Sequence, residues 1–146
     1  MIYPACFLIG HADTSEELYP ALLEAIELHI TNYGIREFFF GHHGGFDRLT
    51  LRVLKEAKIR HPEIQRILVL SYHPAQHTPS LPKDIDESYY PFDTLVPPRY
   101  ALPKANRRMI DRCSHLIVYA AHPGKTRDFA AYAQQKGRKI QYIKRT

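Results

Sequence analysis

Three glycine-containing turns carry the groups in this sequence that could do chemistry. They read IGHAD at 9–13, GHHGGFD at 41–47 and HPGKTRD at 122–128. Glycine permits positive φ and a close approach of the backbone to a ligand, and a helix that follows such a turn presents free N–H groups to an anion. The turns therefore predict a site for a phosphate or a similar anionic group.

The last turn is the sharpest phosphate candidate. Gly124, Lys125 and Thr126 would bring backbone amides, an ammonium and a hydroxyl to the start of the helical segment RDFAAYAQQKG. This arrangement resembles the tail of a P-loop, but Tyr119 stands where GxxxxGK[ST] requires its first glycine, and the turn comes late in the chain. Two interpretations remain open: a generic anion site, or a simple cap of the helix by Thr126.

Several histidines lie directly after apolar runs, as the glycine-containing turns do. Imidazole titrates near neutral pH, so any one of them could act as a catalytic acid or base. No two of these histidines have the i, i+4 helical spacing, with an accompanying carboxylate, that is typical of a zinc site. The two cysteines, Cys6 and Cys113, have no CxxC spacing, so we predict core packing for the cysteines and neither a metal nor a cofactor. The histidines that follow apolar runs are His11, His42, His43, His73 and His122.

The elements that position these turns can be read from hydrophobicity. Apolar runs that are nearly continuous, rather than alternating, are typical of parallel strands covered on both faces by helices. We therefore predict a Rossmann-like three-layer α/β/α sandwich with a mainly parallel five-stranded sheet. The glycine turns would then share the carboxyl edge of the sheet, where such folds bind ligands. The five runs are ACFLIG, REFFFG, RILVLSY, HLIVYAA and KIQYIK.

Helix boundaries and loops follow from local signals. Thr14 and Glu17 fit a capping box at the start of the first helix, which Gly34 would end, and the third helix is predicted to begin near Pro103. The proline- and tyrosine-rich stretch at about 73–99 is predicted to be one long loop. Such loops in small domains are usually lids or partner surfaces, with a passive wrap over the sheet edge as the alternative.

Length and charge limit the class of protein. A chain of 146 residues fits a single domain, spanning 1–146, and its net charge of +5 favours an anionic ligand over a cationic one. The basic residues are distributed rather than massed, so a solvated surface accounts for most of them. The chain shows neither a signal peptide nor an apolar run of the roughly 18 to 20 residues that span a membrane, which predicts a cytoplasmic protein without membrane contact.

Taken together, the turns and their flanking elements resemble the SLOG superfamily, the Rossmann-like group that includes the LOG phosphoribohydrolases and the DNA-processing Smf proteins. The likeness is greatest to its short, uncharacterised bacterial YpsA-like branch and covers nearly the whole chain. The segments that carry it are FLIGHAD, FFFGHHGGFDRLTLRVLKE, VPPRYALPKANRRMIDRCSHLIVY and HPGKTRDFAAYAQQKGRKI.

The resemblance implies a pocket for a nucleotide or nucleotide-derived ligand, made by the turns after the first, second and fourth predicted strands. Asp47 would either cap its own helix or hold a ribose hydroxyl. Asn106 would fix the loops or meet the ligand, and Arg99 could pair with phosphate. The residues implied to line the pocket are Gly10, His11, Gly41, Gly44, Gly45, Asp47, Arg99, Asn106, Gly124, Lys125 and Thr126.

Departures from the family pattern leave open whether the protein is an enzyme. LOG-type enzymes carry a PGGxGTxxE turn, whereas PGKTRDF has no glutamate there, and Asp128 comes one residue early, which rotates a side chain by roughly 100° on a helix. Ala12 replaces the arginine of the TGHR motif. The leading hypothesis is therefore a nucleotide-binding sensor, carrier or sequestering module.

Two alternative functions are retained. One is a hydrolase that cleaves an N-glycosidic or related bond in a nucleotide, with His11 or His43 acting together with Asp47 as the catalytic residues. The other is binding of single-stranded DNA or of a protein partner, since the similar Smf proteins bind single strands; it requires a basic groove with stacking aromatics. Small Rossmann-like domains often build sites between subunits, so we also expect a homo-oligomer.

Overall fold

The computed structural model describes residues 2–73 and 81–145. Its strands within these ranges are β1 (Tyr3–Gly10), β2 (Glu37–Phe40), β3 (Gln65–Val69), β4 (Glu87–Tyr89), β5 (Cys113–Tyr119) and β6 (Lys139–Tyr142). Its helices are α1 (Tyr19–Thr31), α2 (Gly45–Arg60), α3 (Pro98–Arg112) and α4 (Lys125–Gln135). All strand pairs are parallel, in the order β4-β3-β2-β1-β5-β6.

The sheet separates two hydrophobic layers, as predicted for a Rossmann-like α/β/α fold. On one face, α1 and α2 pack against Leu8, Phe38 and Phe40; on the other, α3 and α4 pack against Phe7 and its neighbours. Successive side chains of a strand point to opposite faces, so the central strand β1 is buried on both. None of the helices in the described ranges is long and apolar enough to cross a membrane.

The sheet has six strands where five were predicted. The additional strand, β4, lies inside the stretch predicted to be a long loop and pairs with β3 from Ile67 opposite Glu87 to Val69 opposite Tyr89. With only three residues and prolines nearby, β4 has too little apolar pattern to be recognised. The loop prediction for about 73–99 is therefore wrong at 87–89 and at 98–99, while its portion 74–80 lies outside the described residues.

The first helix does not begin with the predicted capping box. The Thr14 hydroxyl donates to the carbonyl of His11 over 2.6 Å instead of capping a helix. A short 3₁₀ turn, Glu16–Leu18, follows, and α1 starts at Tyr19 with Pro20 in its first turn. Thr14 therefore lies in the turn after β1, ahead of the helix, and no side-chain hydrogen bond caps α1.

The third helix begins five residues earlier than predicted. Pro98 occupies its first position, where a missing N–H removes no intrahelical bond, and Pro103 lies inside the helix. An interior proline leaves the carbonyl four residues before it, that of Arg99, without its usual helical donor. Both Pro98 and Pro103 fit a helix start by sequence, but only Pro98 marks the boundary of α3.

Candidate functional site

A cavity of about 480 Å³ opens at the carboxyl edge of the sheet, where the turns after β1, β2 and β5 meet. In open parallel sheets, ligands bind at this edge between neighbouring strands whose following helices pack on opposite faces. Here those strands are β1, which is followed by α1, and β5, which is followed by α4 on the other face. Eight of the residues implied by the SLOG resemblance lie in the cavity wall: Gly10, Gly41, Gly44, Asp47, Arg99, Asn106, Lys125 and Thr126.

Three others implied by the resemblance lie beside the wall rather than in it. Gly45 follows Gly44 at the start of α2 and donates its N–H to the carbonyl of Ala12 over 2.7 Å. Gly124 precedes the first residue of α4. His11 is buried and turns toward the loop after β5. The structure therefore brings these three to the same edge without exposing them to the cavity.

The glycines at 44 and 45 allow two turns to pack against each other. A Cβ on Gly44 would lie 2.8 Å from Cα of Ala12, and one on Gly45 would lie 2.7 Å from the carbonyl oxygen of Ala12. Neither has a positive φ, so this turn does not use the left-handed conformation that glycine permits. Close approach of the backbone is what requires glycine here.

Asp47 links the second turn to the cavity. It lies in the first turn of α2, and its Oδ2 accepts the backbone N–H of His43 over 3.0 Å. Burial raises the pKa of the carboxyl group, although the hydrogen bond from His43 opposes that rise. Asp47 therefore stabilises the turn before its own helix and also forms part of the wall, so the two predicted roles do not exclude each other.

His43 forms a side-chain pair that the sequence did not indicate. Its Nε2 lies 3.0 Å from the hydroxyl oxygen of Ser71, a buried residue just after β3. Burial lowers the pKa of the imidazole, which favours its neutral form near pH 7. Ser71 is the next-to-last residue of the apolar run RILVLSY, and that position at the carboxyl edge is the signal that could have identified it.

The predicted phosphate corner forms at the start of α4. Gly124 is the N-cap with φ +152°, a conformation that side chains rarely adopt, and Lys125 and Thr126 are the first two helical residues. Since Gly124 is the N-cap and no side-chain hydrogen bond caps α4, the alternative that Thr126 caps the helix is wrong. Thr126 is instead buried in the cavity wall. Among the described residues, the exposed Lys125 makes no salt bridge. Its ammonium is thus available to an anion.

The first half of α3 builds the facing wall, which explains why Arg99 and Asn106 share the site despite lying seven positions apart. Residues at i, i+3, i+4 and i+7 occupy one side of a helix. The guanidinium of Arg99 stacks over the ring of Tyr100 at 4.9 Å. Apolar wall residues that sequence reasoning did not include are Phe46, Tyr72, Pro98, Leu102, Pro103 and Phe129.

His11, a predicted catalytic candidate, belongs to a histidine pair at the edge of the site. Its ring stacks on that of His122 with centroids 3.6 Å apart, and its Nε2 accepts the backbone N–H of His122. Burial lowers the pKa of His11. A hydrogen bond to the Pro123 carbonyl and one to Asp13 raise the pKa of His122. The catalytic candidates are therefore separated, with His43 and Asp47 in the cavity wall and His11 outside it.

Comparison with known protein families gave no matching family model, and no curated protein matches the chain significantly. The similarity to the SLOG superfamily stays a prediction that rests on the quoted segments.

Proposed function

We propose that the protein is a SLOG-like module that binds a nucleotide or a nucleotide-derived phosphate ligand and serves as a sensor, carrier or sequestering protein. One observation carries the proposal. Lys125 and Thr126, in the first turn of α4, line the same cavity as the half-buried carboxylate of Asp47 and a set of apolar side chains. A phosphate would contact Lys125 and Thr126, a hydroxyl would contact Asp47, and a base would pack against the apolar side chains.

The phosphate would bind at the amino end of α4. The free amides there carry partial positive charge, and the Lys125 ammonium adds a full charge without a competing carboxylate partner among the described ion pairs. Phe46, Leu102 and Phe129 supply apolar surface for the remainder of the ligand. The cavity volume of about 480 Å³ falls within the usual range for small-molecule sites.

Ion pairs remove part of the positive charge that binding of a nucleic acid strand would use. In the described part of the chain, seven of the twenty lysines and arginines form salt bridges with carboxylates, as in Arg66 with Asp86 at 3.0 Å and Arg60 with Glu27 at 2.6 Å. Others of the same kind include Arg52 with Glu16, Lys58 with Asp86 and Arg145 with Glu17. Strand binding relies on cations that neutralise successive phosphates, and paired cations serve that purpose poorly.

A hydrolase is the second candidate, favoured by the pair of titratable groups in the cavity wall. Asp47 has a raised pKa and His43 a lowered one, and perturbed groups of this kind are concentrated at catalytic sites. In this alternative, protonated Asp47 donates its proton to the departing group, while neutral His43 accepts a proton from the attacking water. A catalytic glutamate of the LOG type has no counterpart in the PGKTRDF turn.

The first experiment is thermal unfolding of the purified chain against mononucleotides, dinucleotides, cyclic nucleotides and ADP-ribose derivatives, with each compound analysed by chromatography afterwards. A ligand that binds the native state raises the midpoint. A rise with intact compound supports the binder, and a rise accompanied by product supports the hydrolase. A panel without any rise contradicts both.

The compound with the largest shift then tests the phosphate position. Lys125→Ala is expected to weaken its affinity by about tenfold to a hundredfold, since hydrogen bonds to charged groups contribute about 1.5 to 3 kcal/mol. Lys136→Ala is the matched control: it removes an equal charge just beyond the other end of α4. Equal affinities of the two variants would overturn the assignment of Lys125.

The biological setting is proposed from the resemblance alone. The YpsA-like branch is bacterial, so we propose a bacterial, cytoplasmic protein that forms a homo-oligomer. Equilibrium sedimentation of the chain, with and without the compound that shifts unfolding, tests the oligomer, and a single monomeric species under both conditions would refute it.

A further inference from the structure

A cluster of three side chains next to the cavity is not used by the proposed ligand site. His11 and Asp13 come from the turn after β1, and His122 comes from the turn after β5. One potential ligand atom from each residue lies within 4.8 Å of the other two. The histidines are 111 positions apart in sequence, so spacing within a helix could not indicate that they meet.

We propose that this cluster binds a divalent transition-metal ion of the zinc class. Two imidazole nitrogens and one carboxylate oxygen are a ligand set that such ions prefer, and three protein ligands leave further positions open. The Nε2 of His122 lies 3.3 Å from Oδ1 of Asp13. Two donors bound tetrahedrally to one zinc at about 2.1 Å stand roughly 3.4 Å apart, so this pair already has the required separation.

The third ligand requires a small rearrangement. The rings of His11 and His122 are stacked within 10° of parallel, and two parallel rings cannot both direct a lone pair at one ion. His11 is held by burial and by the ring of Tyr119, whereas the side chains of His122 and Asp13 are 53% and 76% exposed. The exposed pair can therefore turn toward the fixed ring when the ion binds. The ion would replace the hydrogen bond that Nε2 of His11 accepts from the backbone N–H of His122 over 3.2 Å, and the contact between His122 and Asp13.

The surrounding charges limit which ions fit. Asp13 supplies the single negative charge of the cluster, and Arg127, which donates to the carbonyls of Ala120 and Ala121, lies nearby as a cation. Hard ions such as Ca²⁺ depend on several carboxylates, so they are expected to bind far more weakly than zinc. The imidazole nitrogens, rather than net charge, provide the selectivity.

The test uses untagged protein that has been stripped with a chelator and contains no nucleotide. Titration calorimetry with zinc chloride is expected to give one ion per chain, and cobalt(II) should produce visible absorption typical of a tetrahedral site. His122→Ala and Asp13→Asn, both exposed positions, should each weaken zinc binding by more than about tenfold. His42→Ala, which removes an exposed histidine from a neighbouring turn, is the matched control and should bind as the parent does.

Absence of zinc binding, or equal binding by all three variants, would overturn the proposal. Circular dichroism of each variant establishes that a loss of binding is not a loss of fold. Nucleotide binding is measured separately in chelator, so failure of the metal site leaves the proposed ligand site untouched, and failure of the ligand site leaves the metal titration interpretable.

Discussion

The ring of Phe46 lies directly against the backbone of Gly10. A Cβ built on Gly10 would stand 2.2 Å from Cδ1 of Phe46, a distance that real atoms do not adopt. Phe46 is itself 1% exposed in the first turn of α2, so its ring has little room to move away. This contact fixes the second turn against the end of β1 and shapes the floor of the cavity.

Gly10→Ala is therefore expected to destabilise the protein by about 1 to 3 kcal/mol, the usual range for overpacking a filled core. Urea unfolding measures the change. The double variant Gly10→Ala with Phe46→Leu should recover part of the loss, because the smaller side chain makes room for the methyl group. Strictly additive effects of the two substitutions would contradict the proposed clash.

Asp86 is expected to make stability depend on acid pH. Its hydrogen bonds with the guanidinium and backbone of Arg66, together with the charge of Lys58, lower its pKa from 3.8 to about 2. A lowered pKa in the folded state contributes stability that is present above the ordinary pKa and lost as the pH falls toward 2. With allowance for solvent screening, the contribution is about 1 to 2 kcal/mol.

Asp86→Asn should consequently be less stable than the parent at neutral pH, and the difference should shrink as pH falls from about 4 toward 2. Urea unfolding at several pH values follows this difference. Asp84→Asn is the control, since Asp84 is more exposed and pairs with Lys55 at 3.6 Å. If the Asp86 difference stays constant over that pH range, the depressed pKa is wrong.

The two cysteines are expected to react slowly in the native protein. Both are buried, and burial raises the pKa of Cys113 to about 12 and that of Cys6 well above its usual range. Only the thiolate is nucleophilic, so alkylation by iodoacetamide near pH 8 should be slower by roughly a thousandfold or more than in denatured protein. Mass spectrometry should find two modified thiols in urea and none at the same time without it. Rapid native labelling would refute the burial of either thiol.

Much of the site followed from the sequence because parallel strands gather their carboxyl ends at one edge. The turn residues Gly41, Asp47 and Lys125 were assigned to that edge from the position of the apolar runs alone, and all three line the cavity. The turn residues could be assigned without knowledge of tertiary contacts, because the sequence signals of glycine turns and helix starts are local.

The remainder depended on contacts between distant parts of the chain. Ser71 pairs with His43 across 28 positions, and His11 meets His122 across 111, so neither pair has a local spacing. The strand β4 is held mainly by its pairing with β3 and by the salt bridge of Arg66 with Asp86, not by its own three residues. Tertiary pairing overrode weak local propensity in these places.

Asn106 and Arg107 are neighbours on α3 that face different surroundings. Asn106 lines the cavity, and no hydrogen bond of its side-chain amide occurs among the described residues. The next residue, Arg107, is exposed and lies over the ring of Tyr132 at 5.9 Å, away from the wall. The two neighbours on one helix therefore allow a matched comparison of a wall residue with a surface residue.

Asn106→Ala is expected to weaken binding of the nucleotide that gives the largest unfolding shift by about threefold to tenfold, the loss of one neutral hydrogen bond. Arg107→Ala should retain the parent affinity. Without nucleotide, both variants should unfold within about 0.5 kcal/mol of the parent, because neither change disturbs the core. Titration calorimetry gives the affinities and urea unfolding gives the stabilities. If Asn106→Ala binds as tightly as Arg107→Ala, the ligand does not reach the α3 wall, and the phosphate end of the cavity alone would have to hold it.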